Sequence, residues 1–149
     1  MKAFRNSYSA YLFLYSFYFM STALFTTLIS VYLIGQQYSA SQVSHLVSMA
    51  FFLSMLTQPL FGYINERFGI VKITTLSLGV LMAGVAGFIW APNYFWLTIF
   101  YGLVLLCLNG TAPMMEVFAT QSSYAFGKIR VWGTLGYAAG AQLAGWLYA

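Results

Sequence analysis

The chain has 149 residues, of which 61% are hydrophobic and only 5% are charged, and its formal net charge is +4. Soluble domains contain roughly 25% charged residues, which form their hydrated surface, so this composition excludes the soluble class and predicts a membrane protein. On so apolar a chain the positive charge indicates membrane topology and not a nucleic-acid footprint.

Several apolar segments are long enough to cross a bilayer, because a transmembrane helix needs about 20 residues. We predict five helices, at Tyr8 to Ile34, Gln42 to Ile64, Ile73 to Ala91, Tyr94 to Ala119 and Lys128 to Tyr148. The first exceeds the about 7 to 15 apolar residues of a signal peptide, so it is interpreted as a retained helix. Five spans without a period-2 pattern cannot close a barrel. The predicted fold class is therefore all-α integral membrane.

The basic side chains fall on alternate connections between the predicted helices. They lie at the N-terminus, in the second loop and around the fourth loop, at Lys2, Arg5, Arg67, Lys72, Lys128 and Arg130. Basic residues accumulate on the cytoplasmic side of a membrane. We therefore predict a cytoplasmic N-terminus, an external first loop near Gln37, and a fifth helix that runs outward.

Helix one carries a polar stripe at spacings of three and four residues. Its members are Tyr11, Tyr15, Tyr18 and Thr22, continued by Thr26. Such a stripe either makes hydrogen bonds between helices or lines a water-filled cavity, and the residues alone leave both interpretations open.

Small residues recur four apart on helices three and five. These lines are Gly79, Ala83 and Gly87 on the third helix, and Gly136, Gly140 and Ala144 on the fifth. Because small residues let helix backbones approach closely, both helices are predicted to pack inside a bundle. On helix four, Pro113 removes one backbone hydrogen bond, which predicts either a packing adjustment or a local opening at a binding site.

Two charges stand at the ends of the apolar segments in helices four and five. A charge at the bilayer centre costs about 2.5 to 3.5 kcal/mol, so Glu116 and Arg130 form a functional hypothesis in which each is the other's partner. Tyr137 lies two turns beyond Arg130 on the same face, so that face can present a guanidinium and a ring to a hydroxylated ligand. The alternative is a cytoplasmic salt bridge that joins two helix ends.

The segment "GYINERFGIVK" resembles the loop signature of the major facilitator superfamily. Its matching residues are Gly62, Glu66, Arg67, Gly69 and Lys72. Glu66 replaces the usual aspartate of the signature, and Val71 stands where a basic residue is common. The resemblance implies that this segment is a loop between helices two and three that controls conformational gating.

The segments "APMMEVFATQ" and "FGKIRVWGTLGY" resemble helices four and five of the lactose permease branch of that superfamily. The resemblance implies that Glu116 and Arg130 contact a sugar and that Tyr137 stacks on it. It also implies a proton-coupled symporter of a bacterial inner membrane that needs no cofactor and works by alternating access. Residues 1–149 would then be part of its N-terminal half, and the missing C-terminal half would be its partner. Nucleoside and aromatic-acid symporters share much of the "GKIRVWG" pattern.

Other classes of function receive little support from the sequence. A membrane-embedded hydrolase needs a nucleophile with a base, or several clustered metal ligands. The chain has one histidine, His45, and one cysteine, Cys107, and neither lies in such a cluster. We therefore predict no enzyme and no metal site, and an inert membrane scaffold remains the alternative to a transporter.

Overall fold

The computed structural model of the protein describes residues 7–147. Within that range the chain forms five α-helices, which are α1 (Tyr8–Gly35), α2 (Ala40–Phe68), α3 (Ile70–Ile89), α4 (Tyr94–Thr120) and α5 (Phe126–Leu147). The predictions that involve Lys2, Arg5 and Tyr148 lie outside the described residues.

Four of the helices in the described part of the chain, α1 to α4, are long and apolar enough to cross a membrane. The fifth has 22 residues, but two basic residues and several glycines lower its hydropathy. The predicted all-α integral membrane fold is therefore confirmed, while the crossing by α5 stays a prediction. An α-helix suits these segments because it satisfies every interior backbone group within the segment itself.

The boundary between α2 and α3 differs most from the sequence prediction. The sequence predicts a loop from residue 65 to residue 72, but α2 continues to Phe68 and α3 begins at Ile70. Gly69 alone separates the two helices, with a φ of 89° that favours glycine over residues with a side chain. The charged side chains suggested a loop, yet they are accommodated on helix ends: Glu66 and Arg67 end α2, and Lys72 lies in the first turn of α3.

The start of α2 is fixed by a capping box. The Ser39 hydroxyl accepts the Gln42 backbone N–H at 3.3 Å, and the Gln42 side chain accepts the Ser39 backbone N–H at 2.9 Å. These bonds satisfy backbone donors that have no partner inside the helix. The helix consequently starts two residues earlier than the predicted Gln42.

The chain forms two compact units. The first comprises Met1–Tyr38 and Met115–Ala149, and the second comprises Ser39–Met114. The first unit therefore contains α1, the last turns of α4 and all of α5.

In the first unit, α5 packs closely against α1 through its line of small residues. A Cβ atom placed on Gly136 would lie 2.7 Å from the Ser16 Cα atom, and one on Gly140 would lie 3.1 Å from the Met20 Cα atom. Such distances leave no room for a side chain between the two backbones. The prediction that these residues of helix five mediate close packing is therefore confirmed.

In the second unit, the predicted packing line on helix three is wrong for two of its three members. Gly79 and Ala83 are exposed, and a Cβ atom on Gly79 would meet nothing within 4 Å. The glycines that pack are Gly87, against the Phe100 ring, and Gly84, against the Val104 side chain. The small residues of α3 fit two helical faces, and spacing alone selected the wrong one.

Helix α4 continues through Pro113 to Thr120 without an opening. The Thr111 hydroxyl donates to the Cys107 carbonyl one turn earlier, and Gly110 lies against the Phe61 ring of α2. The structure therefore favours the packing interpretation of this segment over a local opening.

Candidate functional site

Glu116 and Arg130 form an ion pair in the first unit. The Arg130 Nη1 atom donates to Glu116 Oε1 at 2.8 Å and to Oε2 at 3.1 Å. Glu116 lies in the penultimate turn of α4, and Arg130 lies in the second turn of α5. The guanidinium also lies over the Phe126 ring, 5.5 Å from its centroid, which is a cation–π distance.

The pair is partly open to its surroundings. The side chains of Arg130 and Glu116 are 57% and 43% exposed. Exposed ion pairs contribute about 0 to 1 kcal/mol to stability. Stability alone therefore gives little reason for a chain with so few charges to place two of them here.

A cavity of about 240 Å³ opens beside the pair. It is lined by Phe19, Glu116, Arg130, Gly133, Thr134 and Tyr137. The structure thus brings together the three residues that the sequence assigns to substrate recognition, although their role stays a prediction. The cavity combines a carboxylate, a guanidinium and two aromatic rings, which are groups that can bind hydroxyls and the apolar face of a ring.

Sequence reasoning missed two side chains of this cavity. Thr134 lies one helical turn beyond Arg130 and one turn before Tyr137, so helical spacing could have identified it. Phe19 is contributed by α1. It is one of many aromatic residues in that helix, and no pattern in the sequence distinguishes it.

The polar stripe of α1 does not line the cavity beside the pair. The Tyr15 side chain is buried, and its hydroxyl donates to the Met115 carbonyl. The Thr22 hydroxyl donates to the Tyr18 carbonyl within α1 at 2.9 Å, and the Tyr11 ring contacts the edge of another aromatic ring at a centroid distance of 6.3 Å. For Tyr15 the structure therefore favours hydrogen bonding between helices, while a cavity role for the stripe as a whole stays a prediction.

The residues predicted to control gating lie in the second unit. Arg67 donates to the Tyr63 hydroxyl at 3.2 Å, one turn earlier on α2, and its guanidinium lies 5.6 Å from the Phe68 ring centroid. Gly62, Glu66 and Lys72 are exposed. The structure places these residues on both sides of the turn at Gly69, and their gating role stays a prediction.

Residues 7–147 contain no group of three or more histidine, cysteine, aspartate or glutamate side chains placed to hold a metal ion, and the absence of a metal site stays a prediction. His45 is exposed on α2. Cys107 is buried in α4.

Comparisons with known proteins agree with this architecture. Residues 8–149 match the model of the MFS_1 like family. The chain is also 28% identical to the sucrose permease of Escherichia coli over 156 residues, an alignment that covers 95% of this chain and 38% of the relative. No solved structure matches the chain. Because the family model covers almost the whole sequence, the chain belongs to the MFS_1 like family of membrane transporters.

Proposed function

We propose that the chain forms part of a proton-coupled sugar symporter and that Glu116 and Arg130 recognise the hydroxyl groups of the sugar. The observation that carries this proposal is the ion pair at the wall of a cavity that also presents the Tyr137 ring. The relative named a sucrose permease supports a sugar as the substrate class.

The geometry of the pair suits a hydroxylated ligand. Both bonds from Arg130 to Glu116 use Nη1, so the Nη2 and Nε donors of the planar guanidinium are directed elsewhere and can serve a ligand. The Glu116 carboxylate accepts hydrogen bonds, and its two oxygens have more lone pairs than one nitrogen uses. A sugar hydroxyl both donates and accepts, so it can bind to both members of the pair.

The cavity is smaller than a complete site. Ligand pockets commonly measure about 300 to 1,000 Å³, and this one measures about 240 Å³. Secondary transporters bind their substrates between two repeated halves and expose the site alternately to each side. The chain spans 38% of the length of the sucrose permease. We therefore propose that another part of the full-length protein completes the cavity.

The same residues could serve a nucleoside or an aromatic acid. A nucleoside has a ribose with hydroxyl groups and a base that can stack on Tyr137, so it fits the described groups as well. An aromatic acid fits less well, because its carboxylate would compete with Glu116 for Arg130 and be repelled by the Glu116 charge. A membrane scaffold without a ligand is the third alternative.

Equilibrium binding to the full-length protein, meaning the natural polypeptide that contains these residues, distinguishes these candidates. Sucrose, uridine and phenylacetate are titrated separately into purified protein. Proton coupling is measured in a second experiment, as acidification of the lightly buffered lumen of vesicles that contain the protein. We expect saturable binding of sucrose and sucrose-dependent proton entry. Binding of uridine or phenylacetate in its place would contradict the sugar assignment, and binding of none would favour the scaffold.

We also propose that the chain lies in a bacterial inner membrane with its N-terminus in the cytoplasm. A Gln36→Cys variant, in the exposed connection after α1, should react with an impermeant maleimide added to intact cells. A Ser123→Cys variant, in the connection between α4 and α5, should react only after the cells are permeabilised. Cys107 is buried and gives little background. The reverse pattern of labelling would show that the topology is wrong.

A further inference from the structure

Helix α1 contacts both helices that carry the ion pair, although no charged residue lies between its ends at Tyr8 and Gly35. It reaches the end of α4 through Tyr15. It reaches the start of α5 through Tyr8. Both contacts are hydrogen bonds from a tyrosine hydroxyl to a backbone carbonyl, and both lie within the first unit.

The contact with α4 lies directly beside the acid of the pair. The Tyr15 hydroxyl donates to the carbonyl of Met115, the residue that precedes Glu116. The Tyr15 ring also lies beside α5, since a Cβ atom on Gly133 would come within 3.1 Å of its Cδ1 atom. Gly133 is three residues beyond Arg130, which is close to one helical turn. Tyr15 therefore bonds to the backbone next to Glu116 and lies beside the backbone about one turn from Arg130.

The contacts with α5 involve residues on both sides of Arg130 in the sequence. The Tyr8 hydroxyl donates to the Lys128 carbonyl at 3.2 Å and accepts from Trp132 Nε1 at 2.8 Å. Lys128 and Trp132 lie two residues before and two residues after Arg130. The Tyr8 ring also makes an edge contact with Tyr124, at a centroid distance of 5.3 Å, in the connection that precedes α5.

The ion pair cannot fix this geometry by itself. Its members are 14 residues apart, on two helices joined by the connection at residues 121–125. An exposed ion pair contributes at most about 1 kcal/mol to stability, which changes the equilibrium constant of folding by at most about fivefold. Each hydrogen bond from α1 contributes about as much, and the buried one from Tyr15 is shielded from solvent. Together, the three hydrogen bonds of Tyr15 and Tyr8 are therefore a stronger constraint than the ion pair alone.

We propose that Tyr15 and Tyr8 are positioning residues that set the distance and orientation of Glu116 and Arg130. Through them, α1 holds the two charged side chains in the arrangement that a ligand meets. The consequence for ligand binding rests on the proposed function, whereas the consequence for the pair itself does not.

The test measures the reactivity of Arg130 in ligand-free full-length protein. Phenylglyoxal modifies exposed guanidinium groups, and Glu116 covers part of this one, so loss of the pair should speed the reaction. Peptide-resolved mass spectrometry follows Arg130, with Arg67 as an internal reference. The variants are Tyr15→Phe and Tyr8→Phe, which remove only a hydroxyl. Tyr94→Phe is the matched control, because the Tyr94 hydroxyl also donates to a helix carbonyl, that of Gln42 at 2.9 Å, within the second unit.

We expect the reaction at Arg130 to become about fivefold faster in Tyr15→Phe, the change that corresponds to one lost hydrogen bond, and at least as much faster in Tyr8→Phe, which loses two. The rate at Arg67, and both rates in Tyr94→Phe, should stay at the wild-type values. An unchanged Arg130 rate in both variants would overturn the proposal. An equal increase at Arg130 and Arg67 would also overturn it, because it would show general loosening of the fold.

Sucrose affinity of the same variants separates this proposal from the proposed function. We expect Tyr15→Phe to weaken sucrose binding by about tenfold, because it displaces an acceptor and a donor of the site together. A faster reaction at Arg130 together with wild-type sucrose affinity in Tyr15→Phe and Glu116→Gln would support the positioning role and refute the binding role of the pair.

Discussion

Replacing Gly136 with valine is expected to prevent α1 from packing on α5 and to cost about 3 kcal/mol of stability, the upper end of the usual range for overpacking. A Cβ atom at this position would lie 2.7 Å from the Ser16 Cα atom and 2.8 Å from the Ser16 carbonyl carbon. These are backbone atoms, which cannot rotate away as the end of a flexible side chain can. The whole of α1 would have to move, and its contacts beside the ion pair would be lost with it.

Gly145→Val is the matched control on the same helix. A Cβ atom on Gly145 would meet nothing within 4 Å. Its substitution should therefore change stability by less than about 1 kcal/mol, the range of intrinsic helix propensities. Thermal unfolding of both purified variants, compared with wild type, measures the difference. Equal unfolding temperatures for Gly136→Val and Gly145→Val would contradict the close approach of α1 and α5.

The helices themselves could be predicted from the sequence because bilayer thickness imposes a minimum length on each apolar segment. The prediction was less accurate where the chain leaves the apolar region. At residues 65–72 the charged side chains of "NERFGIVK" predict a loop, but a helix end can carry the same charges, and Gly69 alone separates the two helices. Polarity alone does not distinguish these two arrangements.

The ion pair could be predicted because charges are rare in this chain and each charge near an apolar segment needs a partner. The contacts that hold the pair could not be predicted from the sequence. Tyr15 and Tyr8 bond to the carbonyls of Met115 and Lys128, and every residue has a backbone carbonyl, so nothing in the sequence marks these two as acceptors. Identifying them requires the packing of α1 against the neighbouring helices.

The ion pair itself is expected to be essential for ligand binding. Arg130→Lys keeps the positive charge but loses the planar fork that can serve Glu116 and a ligand together. Glu116→Gln keeps the shape of the side chain but removes the charge that faces Arg130. Hydrogen bonds to charged groups are worth about 1.5 to 3 kcal/mol, and each variant disturbs more than one, so we expect at least about a 100-fold loss of affinity.

A salt bridge that only joins two helix ends leads to a different expectation. The side chains of Arg130 and Glu116 are 57% and 43% exposed. A pair with this exposure would add at most about 1 kcal/mol to stability and nothing to binding. Both variants would then fold slightly less well and bind ligand normally. Measuring the amount of folded protein separately from its affinity is therefore what distinguishes a binding role from a structural one.

The central claim is that Glu116 and Arg130 contact the substrate, and its most direct test is the sucrose affinity of the full-length Glu116→Gln and Arg130→Lys variants. The affinity is measured by equilibrium titration of purified protein and expressed per folded molecule. We predict that both variants bind sucrose at least about 100-fold more weakly than wild type. Their free energy of unfolding should differ from that of wild type by at most about 1 kcal/mol. Sucrose affinities close to that of wild type in both variants would contradict the claim.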